Sequence, residues 1–311
     1  MRLVFAGSPD VAVPTLEALH RAGHEIALVI TQPDARGKRG SDLHPTPVKL
    51  AAQSLGLEVI TPVTASAAEV VERVKAAQAD AGAIVAYGQI LRPALLEAVS
   101  LGWVNLHFSV LPAWRGAAPV QRAIMAGDDI TGASTFLLDE GMDTGPVIGV
   151  VTERIRSTDT SGDLLTRLSV AGAELMVRSF AALEHGTAAP VPQSQDGISY
   201  ASKLTRQDAY VRWELPAHAV DRQIRACTPA PGAWTTLPDG SPARLGVVAP
   251  RELARPLTPG HVRAENGEVL VGTGSHPVAL TTIQPAGRKS LDAASWWRGA
   301  RLPEGSALGE A

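Results

Sequence analysis

The chain has 311 residues, of which 45% are hydrophobic and 19% are charged, so its length suits two domains and its composition is that of a soluble globular protein. Its single cysteine, Cys227, excludes a disulfide framework and a cysteine-rich metal site, and it favours a reducing compartment. No stretch of about 18 uncharged apolar residues is present, which excludes a membrane-spanning helix. We expect a cytoplasmic monomer that does not contact a membrane.

Charge is distributed unevenly along the chain. The formal net charge is −3, but residues 1–200 carry 15 basic and 21 acidic side chains, whereas residues 201–311 carry 13 and 10. A basic C-terminal part beside an acidic N-terminal part would let one module hold a polyanion while the other acts on it. Chance asymmetry explains the same numbers equally well.

Strands and helices alternate at the start of the chain. The pattern predicts strands over residues 2–6 and 25–31 with a helix between them, hence a parallel pair with a right-handed crossover. The first turn offers one glycine, Gly7, where a dinucleotide fingerprint needs three, which excludes a nicotinamide cofactor.

Two further strands bring polar residues to one edge of this sheet. Residues 82–86 form an apolar run without alternation, typical of a central strand, and they lead into Tyr87. Residues 103–106 form the next strand. Ligands of open parallel sheets lie beyond the carboxyl ends of the strands, so the segments after Ala86 and Leu106 are expected to share one cleft.

The remaining pattern divides the chain. Residues 131–138 and 146–155 alternate as an exposed, antiparallel sheet edge does, and a long amphipathic helix follows up to Gly186. Later, one helix over residues 216–226 precedes short apolar runs separated by Pro and Gly, which fits a small barrel or a sandwich. We therefore place an α/β domain at 1–187, a linker at 188–207 and a β domain at 208–311.

Three residues form a candidate catalytic set. Asn105 and His107 lie two positions apart near a strand end, so both side chains point to one face, and Asp143 lies in a Gly-rich turn. Each also has a structural interpretation, since a lone histidine is more often structural and an aspartate in a turn often bonds its own backbone. No spacing among the eight histidines indicates a metal site.

The chain resembles the folate-dependent formyltransferases in several motifs. These are NLH at 105–107, SVLP at 109–112, WRGAAP at 114–119, QRAI at 121–124 and MDTGPV at 142–147. The WRGAAP and QRAI strings are closest to the branch that acts on charged initiator tRNA. FAGSPDVAVPTLEAL near the start, and YASKLTRQDAYVRWELPA and RQIRACTPAPGAW around and after residue 200, extend the resemblance over most of the chain.

The resemblance implies a Rossmann-like, mostly parallel α/β domain followed by a small β-barrel that resembles an oligonucleotide-binding fold and holds the tRNA. It implies 10-formyltetrahydrofolate as cosubstrate, with no metal or bound cofactor, and Asn105, His107 and Asp143 as catalytic residues. Folate is expected at Tyr87, Gly88, Gln89, Ser109, Val110, Leu111 and Pro112. The tRNA is expected at Arg36, Lys38 and Arg39 in a basic loop.

Acyl transfer assigns roles to these residues. Asn105 and His107 would donate to the oxyanion that develops on the formyl oxygen. Asp143 would accept the proton of the attacking amine or orient His107, and the sequence leaves both roles open. Alternatives are formyl transfer to an amino-sugar nucleotide, hydrolysis of the formylated folate, and an RNA-binding protein without catalysis.

Overall fold

The computed structural model describes residues 1–36, 42–303 and 305–309. The chain divides into two units. Unit 1 comprises Met1–Pro119, Ile130–Arg154 and Leu165–Ala201. Unit 2 comprises Val120–Asp129, Ile155–Leu164 and the chain from Ser202 onward, so the polypeptide passes between the two units more than once.

Unit 1 is built on a seven-stranded sheet. The strands up to residue 201 are β1 Arg2–Gly7, β2 Glu25–Ile30, β3 Ala35–Arg36, β4 Leu43–His44, β5 Val59–Ile60, β6 Ala81–Val85, β7 Trp103–His107, β8 Arg115–Gly116, β9 Ile130–Leu137, β10 Val147–Arg154 and β11 Tyr200–Ala201. Over the same residues the helices are α1 Val13–Arg21, α2 Pro47–Ser54, α3 Ala68–Ala76, α4 Pro93–Leu96, α5 Pro119–Ala126 and α6 Ser161–Glu184. All of α5 after Pro119 and the start of α6, up to Leu164, belong to unit 2.

The strand order is β10-β9-β7-β6-β1-β2-β5. The five strands from β7 to β5 are parallel, whereas β9 and β10 are antiparallel to their neighbours and β10 forms an edge. The predicted parallel sheet and the predicted antiparallel edge are both confirmed. Two short pairs lie outside this sheet, β3 with β4 and β8 with β11.

Close packing fixes the two strands that lead to the candidate site. All residues of β6 are buried, as its unbroken apolar run predicts. At Gly82 a β-carbon would come within 2.2 Å of the Trp103 ring, so only glycine allows β7 to lie against β6 at this point. The indole nitrogen of Trp103 donates to the carbonyl oxygen of Leu95 at 2.9 Å. The start of β7 is therefore anchored.

Unit 2 contains two four-stranded antiparallel sheets, with orders β12-β13-β18-β19 and β14-β17-β16-β15. Their strands are β12 Trp234–Thr236, β13 Pro242–Leu245, β14 Val248–Pro250, β15 Val262–Glu265, β16 Glu268–Val271, β17 Val278–Leu280, β18 Thr282–Pro285 and β19 Leu291–Asp292. Helix α7 spans Ala217–Ala226 and helix α8 spans Ala293–Ala300. The predicted fold class, a Rossmann-like α/β part followed by antiparallel strands, is confirmed.

The prediction of one helix in this C-terminal part is wrong, because α8 is a second one. The Asp292 side chain caps α8 by accepting from the Ser295 backbone N–H at 2.9 Å, and Trp296 is buried in the core of unit 2. The tryptophan pair and Gly299 obscure this helix in the sequence. No helix of the described chain is long and apolar enough to cross a membrane.

Candidate active site

His107 ends strand β7 and its ring is buried, with 6% exposure. The ring meets Phe136 edge-on, with centroids 6.5 Å apart. Its Nε2 atom lies 2.9 Å from the carbonyl oxygen of Trp114. Because a carbonyl oxygen only accepts, Nε2 carries a proton in this contact. The other ring nitrogen, Nδ1, is left for further chemistry.

Asp143 faces this second nitrogen from the turn between β9 and β10. Its Oδ2 atom lies 3.6 Å from Nδ1 of His107 and accepts a hydrogen bond of 2.7 Å from the backbone N–H of Gly116. The Asp143 backbone has a φ of +54°, in the left-handed region that aspartate and asparagine tolerate better than most residues. The structure therefore brings the His107 and Asp143 side chains together.

Burial lowers the pKa of His107 below its ordinary value. The Asp143 carboxylate and the hydrogen bond to the Trp114 carbonyl raise this pKa, but burial has the larger effect. At neutral pH the ring is therefore neutral, and its Nδ1 lone pair faces Oδ2 of Asp143. Two acceptors that face each other in this way suit a substrate group that donates a proton to the space between them.

The titration of His107 is a direct test of this geometry. By NMR we expect its pKa to lie below the ordinary value of about 6.5, and to fall further in Asp143→Asn because the carboxylate that raises it is gone. The unfolded chain then binds more protons than the folded one between the two pKa values. The contribution of His107 to the free energy of unfolding is thus present above about pH 6.5 and lost as the pH falls through the folded pKa. Titration at or above the ordinary value would contradict the assignment.

Asn105 lies two residues before His107 on β7, in register with Ile84 of β6 and Phe136 of β9. Its side chain is half-buried, and among the described residues no hydrogen bond to the amide is found. Strand alternation puts this amide on the same face as His107. Asn105 can therefore donate to a ligand without breaking an internal contact.

The segment after β7 holds four of the residues predicted to bind folate, Ser109 to Pro112. The Ser134 hydroxyl of β9 donates to the Ser109 carbonyl oxygen at 2.7 Å and accepts from the Leu111 N–H at 3.1 Å. The Ser109 hydroxyl in turn donates to the Ala113 carbonyl oxygen at 2.5 Å. These bonds fix the loop shape.

The segment after β6 holds the other three, Tyr87, Gly88 and Gln89. The Tyr87 side chain is 2% exposed and belongs to the core, and burial raises its pKa to about 12. Its carbonyl oxygen accepts from the side chains of Ser8 and Gln32 at 3.2 and 3.1 Å. Gln89 accepts from the Ala65 N–H at 2.6 Å. Since β6 and β7 are parallel neighbours, the two segments leave the sheet side by side.

Three residues around the site were not predicted as site residues, although the first lies in the WRGAAP string: Arg115, Gln193 and Ser199. The Gln193 amide donates to the carbonyl oxygens of Asp143 and Gly145, both at 2.8 Å, and its oxygen accepts from the Arg115 guanidinium. The Ser199 hydroxyl accepts from the Trp114 N–H at 2.9 Å. Gln193 and Ser199 lie in the segment predicted as a linker. The YAS string at 200–202 is the one sequence signal near them.

Of the residues predicted to contact tRNA, Arg36 is exposed on β3. Lys38 and Arg39 lie outside the described residues. Over residues 1–36, 42–303 and 305–309 no group of three or more His, Cys, Asp or Glu side chains is placed to hold a metal ion.

An α/β unit with Asn, His and Asp at the carboxyl edge of its sheet, followed by antiparallel strands, defines a Rossmann-like enzyme suited to acyl transfer. Residues 1–180 match the family model described as Formyl transferase, and residues 203–301 match the one described as Formyl transferase, C-terminal domain. The chain belongs to the formyl transferase family, and the resemblance inferred from its motifs is confirmed.

Relatives match the chain over its whole length. The methionyl-tRNA formyltransferase of Thermobifida fusca is 51% identical over 310 residues and covers 100% of both chains. That of Arthrobacter sp. is 55% identical over 305 residues, covering 98% of this chain and 99% of the relative. Among solved structures, HypX from Aquifex aeolicus in complex with tetrahydrofolic acid shares the fold, with a TM-score of 0.67 at 19% identity. The match covers 95% of this chain and 46% of HypX.

Proposed function

We propose that this enzyme transfers the formyl group of 10-formyltetrahydrofolate to the α-amino group of the methionine on charged initiator tRNA. The observation that carries the proposal is the identity of 51% to 55% with relatives of that name over nearly the whole of both chains. These substrates place the reaction in the cytoplasm, and a monomer suffices because unit 1 contains all three proposed catalytic residues.

The attacking amine must be neutral, whereas an α-amino group has a reference pKa of about 7.7 to 8.0. Oδ2 of Asp143 and Nδ1 of His107, 3.6 Å apart, are the two acceptors for its proton. In the proposed reaction, Asp143 takes the proton directly or through water, or it orients His107 to do so. The lowered pKa of His107 keeps the ring neutral and able to accept.

The formyl carbon then bonds to the methionine nitrogen, and negative charge develops on the formyl oxygen. The Asn105 amide donates to this oxygen, and Nδ1–H of His107 also donates where His107 is the group that has taken the proton of the amine; one such donor typically contributes about 2.7 to 4 kcal/mol. The methionine nitrogen then gives up a second proton, and when the bond from the formyl carbon to the folate N10 breaks, N10 takes up that proton. The products are formylmethionyl-tRNA and tetrahydrofolate.

The folate cosubstrate is proposed to lie between residues 87–89 and 109–112. Backbone groups read the edge of its pterin ring, because the Tyr87 side chain is buried in the core and the Ser109 hydroxyl is already bonded to Ala113. Pro112, which is half-buried, offers apolar surface to a ring face, whereas the Leu111 side chain is buried and contributes backbone groups.

The tRNA is proposed to contact the C-terminal domain at 208–311 and the basic loop of the catalytic domain at 1–187, which the segment 188–207 connects. Residues 201–311 have 13 basic and 10 acidic side chains, which favours phosphate binding. Arg36, Lys38 and Arg39 add contacts near the acceptor end.

The basic loop is tested by changing Arg36, Lys38 and Arg39 together to alanine. We expect weaker tRNA binding. The slope of the logarithm of the binding constant against the logarithm of the salt concentration should decrease in magnitude by about 2 to 3, because each lost phosphate contact removes roughly one released counterion. Binding is measured by filter retention at several salt concentrations. Exposed basic residues elsewhere in unit 1 provide the control, Arg73→Ala with Lys75→Ala on α3. An unchanged slope would remove the loop from the tRNA interface.

The function itself is tested with a radiolabelled formyl donor, offering charged initiator tRNA, an amino-sugar nucleotide and water in parallel. We expect label on the tRNA. Label on the amino sugar, or release of formate without an acceptor, would establish one of the alternative activities. Binding of tRNA without any transfer would indicate an RNA-binding protein.

A further inference from the structure

We propose that Gln193 is a positioning residue, which sets the distance between His107 and Asp143. This inference rests on the proposed function of that pair. Within the described chain, Gln193 hydrogen-bonds to neither reacting side chain. It holds the backbone segments that carry Asp143 and that fix His107, and it does so from a part of the chain 50 residues beyond Asp143.

One end of the Gln193 side chain holds the Asp143 turn. Its Nε2 atom donates to the carbonyl oxygens of Asp143 and Gly145, each at 2.8 Å. A side-chain amide has two N–H groups, so both are used, one on each side of Thr144. Two bonds to one turn fix its position and its orientation.

The other end holds the segment that contacts His107. Oε1 of Gln193 accepts from Nε and Nη2 of Arg115 at 3.0 and 2.7 Å. Arg115 is buried, with 6% exposure. It lies between Trp114, whose carbonyl oxygen meets Nε2 of His107, and Gly116, whose N–H donates to Asp143. The Gln193 amide thus links the turn that carries Asp143 to the segment 114–116, which contacts both His107 and Asp143.

The turn at Asp143 and the segment 114–116 each contain a residue whose backbone conformation must be held by hydrogen bonds. Trp114 and Asp143 are non-glycine residues with φ of +60° and +54°. L-residues enter this region at an energetic cost and stay there when the surroundings hold them. The carbonyl of Asp143 is held by Gln193, and the N–H of Trp114 is held by the Ser199 hydroxyl.

The segment that carries Gln193 is itself anchored at both ends. Val191 and Val147 exchange two backbone hydrogen bonds of 2.8 Å, and β11 pairs with β8 in parallel register. At Gly116 a β-carbon would lie 2.8 Å from the Ala201 carbonyl oxygen, so the two segments are in close contact. The backbone around Gln193 is therefore held in place by pairing on both sides, as positioning of other residues requires.

The first test is Gln193→Met, which keeps the length of the side chain and removes all four hydrogen bonds. We expect kcat to fall about 10- to 100-fold, because a shift of about 1 Å in catalytic groups has effects of this size. The KM for each substrate should stay within about twofold. Since the Asp143 carboxylate raises the pKa of His107, its displacement should lower that pKa in an NMR titration.

A second variant, Gln193→Glu, separates the two ends of the side chain. The carboxylate still accepts from Arg115, but it cannot donate to the carbonyls of Asp143 and Gly145. We expect a fall in kcat comparable with that of Gln193→Met and larger than any fall in the folded fraction. Gln195→Met is the matched control, since Gln195 is exposed on the same segment, and it should leave kcat and the His107 titration unchanged.

A double-mutant cycle tests whether Gln193 acts through Asp143. With Asp143→Asn already present, Gln193→Met should lower kcat by less than threefold, because the group it positions has lost its charge. Full additivity would overturn the proposal. A purely structural residue would instead lower the melting temperature, reduce activity in proportion to the folded fraction and leave the His107 titration unchanged.

The His107 titration requires no substrate, so it reports on Gln193 even if the acceptor is misassigned. A wild-type protein that formylates no charged tRNA contradicts the proposed function. An unaltered His107 pKa in folded Gln193→Met contradicts the positioning role alone.

Discussion

Asn105→Ala and His107→Gln are each expected to lower kcat about 10²-fold or more, because each removes a proposed donor to the developing oxyanion. The measurement is steady-state transfer of labelled formyl at saturating concentrations of both substrates. Asn105→Asp sharpens the first test. It keeps the shape of the side chain but offers acceptors where the oxyanion needs donors, so its activity should be no higher than that of Asn105→Ala.

The melting temperature of each variant shows whether a loss of turnover comes from lost chemistry or from lost folding. The Asn105 amide has no hydrogen bond within the described chain, so its removal should hardly change the melting temperature. His107→Ala would lose the bond to Trp114 and the contact with Phe136, whereas glutamine fills more of that space and can still donate to the Trp114 carbonyl oxygen. The exposed His185 provides the control as His185→Gln. A folded His107→Gln enzyme with nearly normal turnover would remove His107 from the reaction.

Local pattern was sufficient for the parallel sheet and for the placement of His107. The apolar run that became β6 has no alternation, which is how a strand covered on both faces differs from an edge strand such as β10. The spacing of Asn105 and His107 placed both on one face near the end of β7. These inferences depend on neighbours in sequence, and the structure confirms the elements that they predict.

Contacts between distant residues could not be predicted in the same way. Gln193 meets Arg115 across 78 positions of sequence, and its own segment has the composition of a linker. Backbone pairing of β11 with β8, which no side-chain periodicity encodes, brings it to the site. Tyr87 shows that a position at a strand end does not predict the direction of the side chain. Its place after β6 predicted a folate contact, but its side chain turns into the core and leaves only backbone groups for that role.

Asp143→Asn is expected to lower kcat at least about 10²-fold while it leaves the melting temperature nearly unchanged. Asparagine tolerates the φ of +54°, and its side-chain oxygen can still accept the Gly116 N–H. The negative charge next to His107 is the main loss. The variant therefore removes the proposed base, or the proposed orienting group for His107, without removing the turn.

Asp143→Ala is the informative comparison, because it loses the charge and the acceptor together. An unsatisfied Gly116 N–H costs about 1 to 3 kcal/mol, and alanine at this φ adds about 1 to 2 kcal/mol. Both variants should be equally inactive, but only alanine should unfold at a clearly lower temperature. If Asp143 served only the turn, asparagine would retain activity and alanine would lose it in step with the folded fraction. Equal loss of kcat at unequal stability therefore assigns the effect to the carboxylate charge.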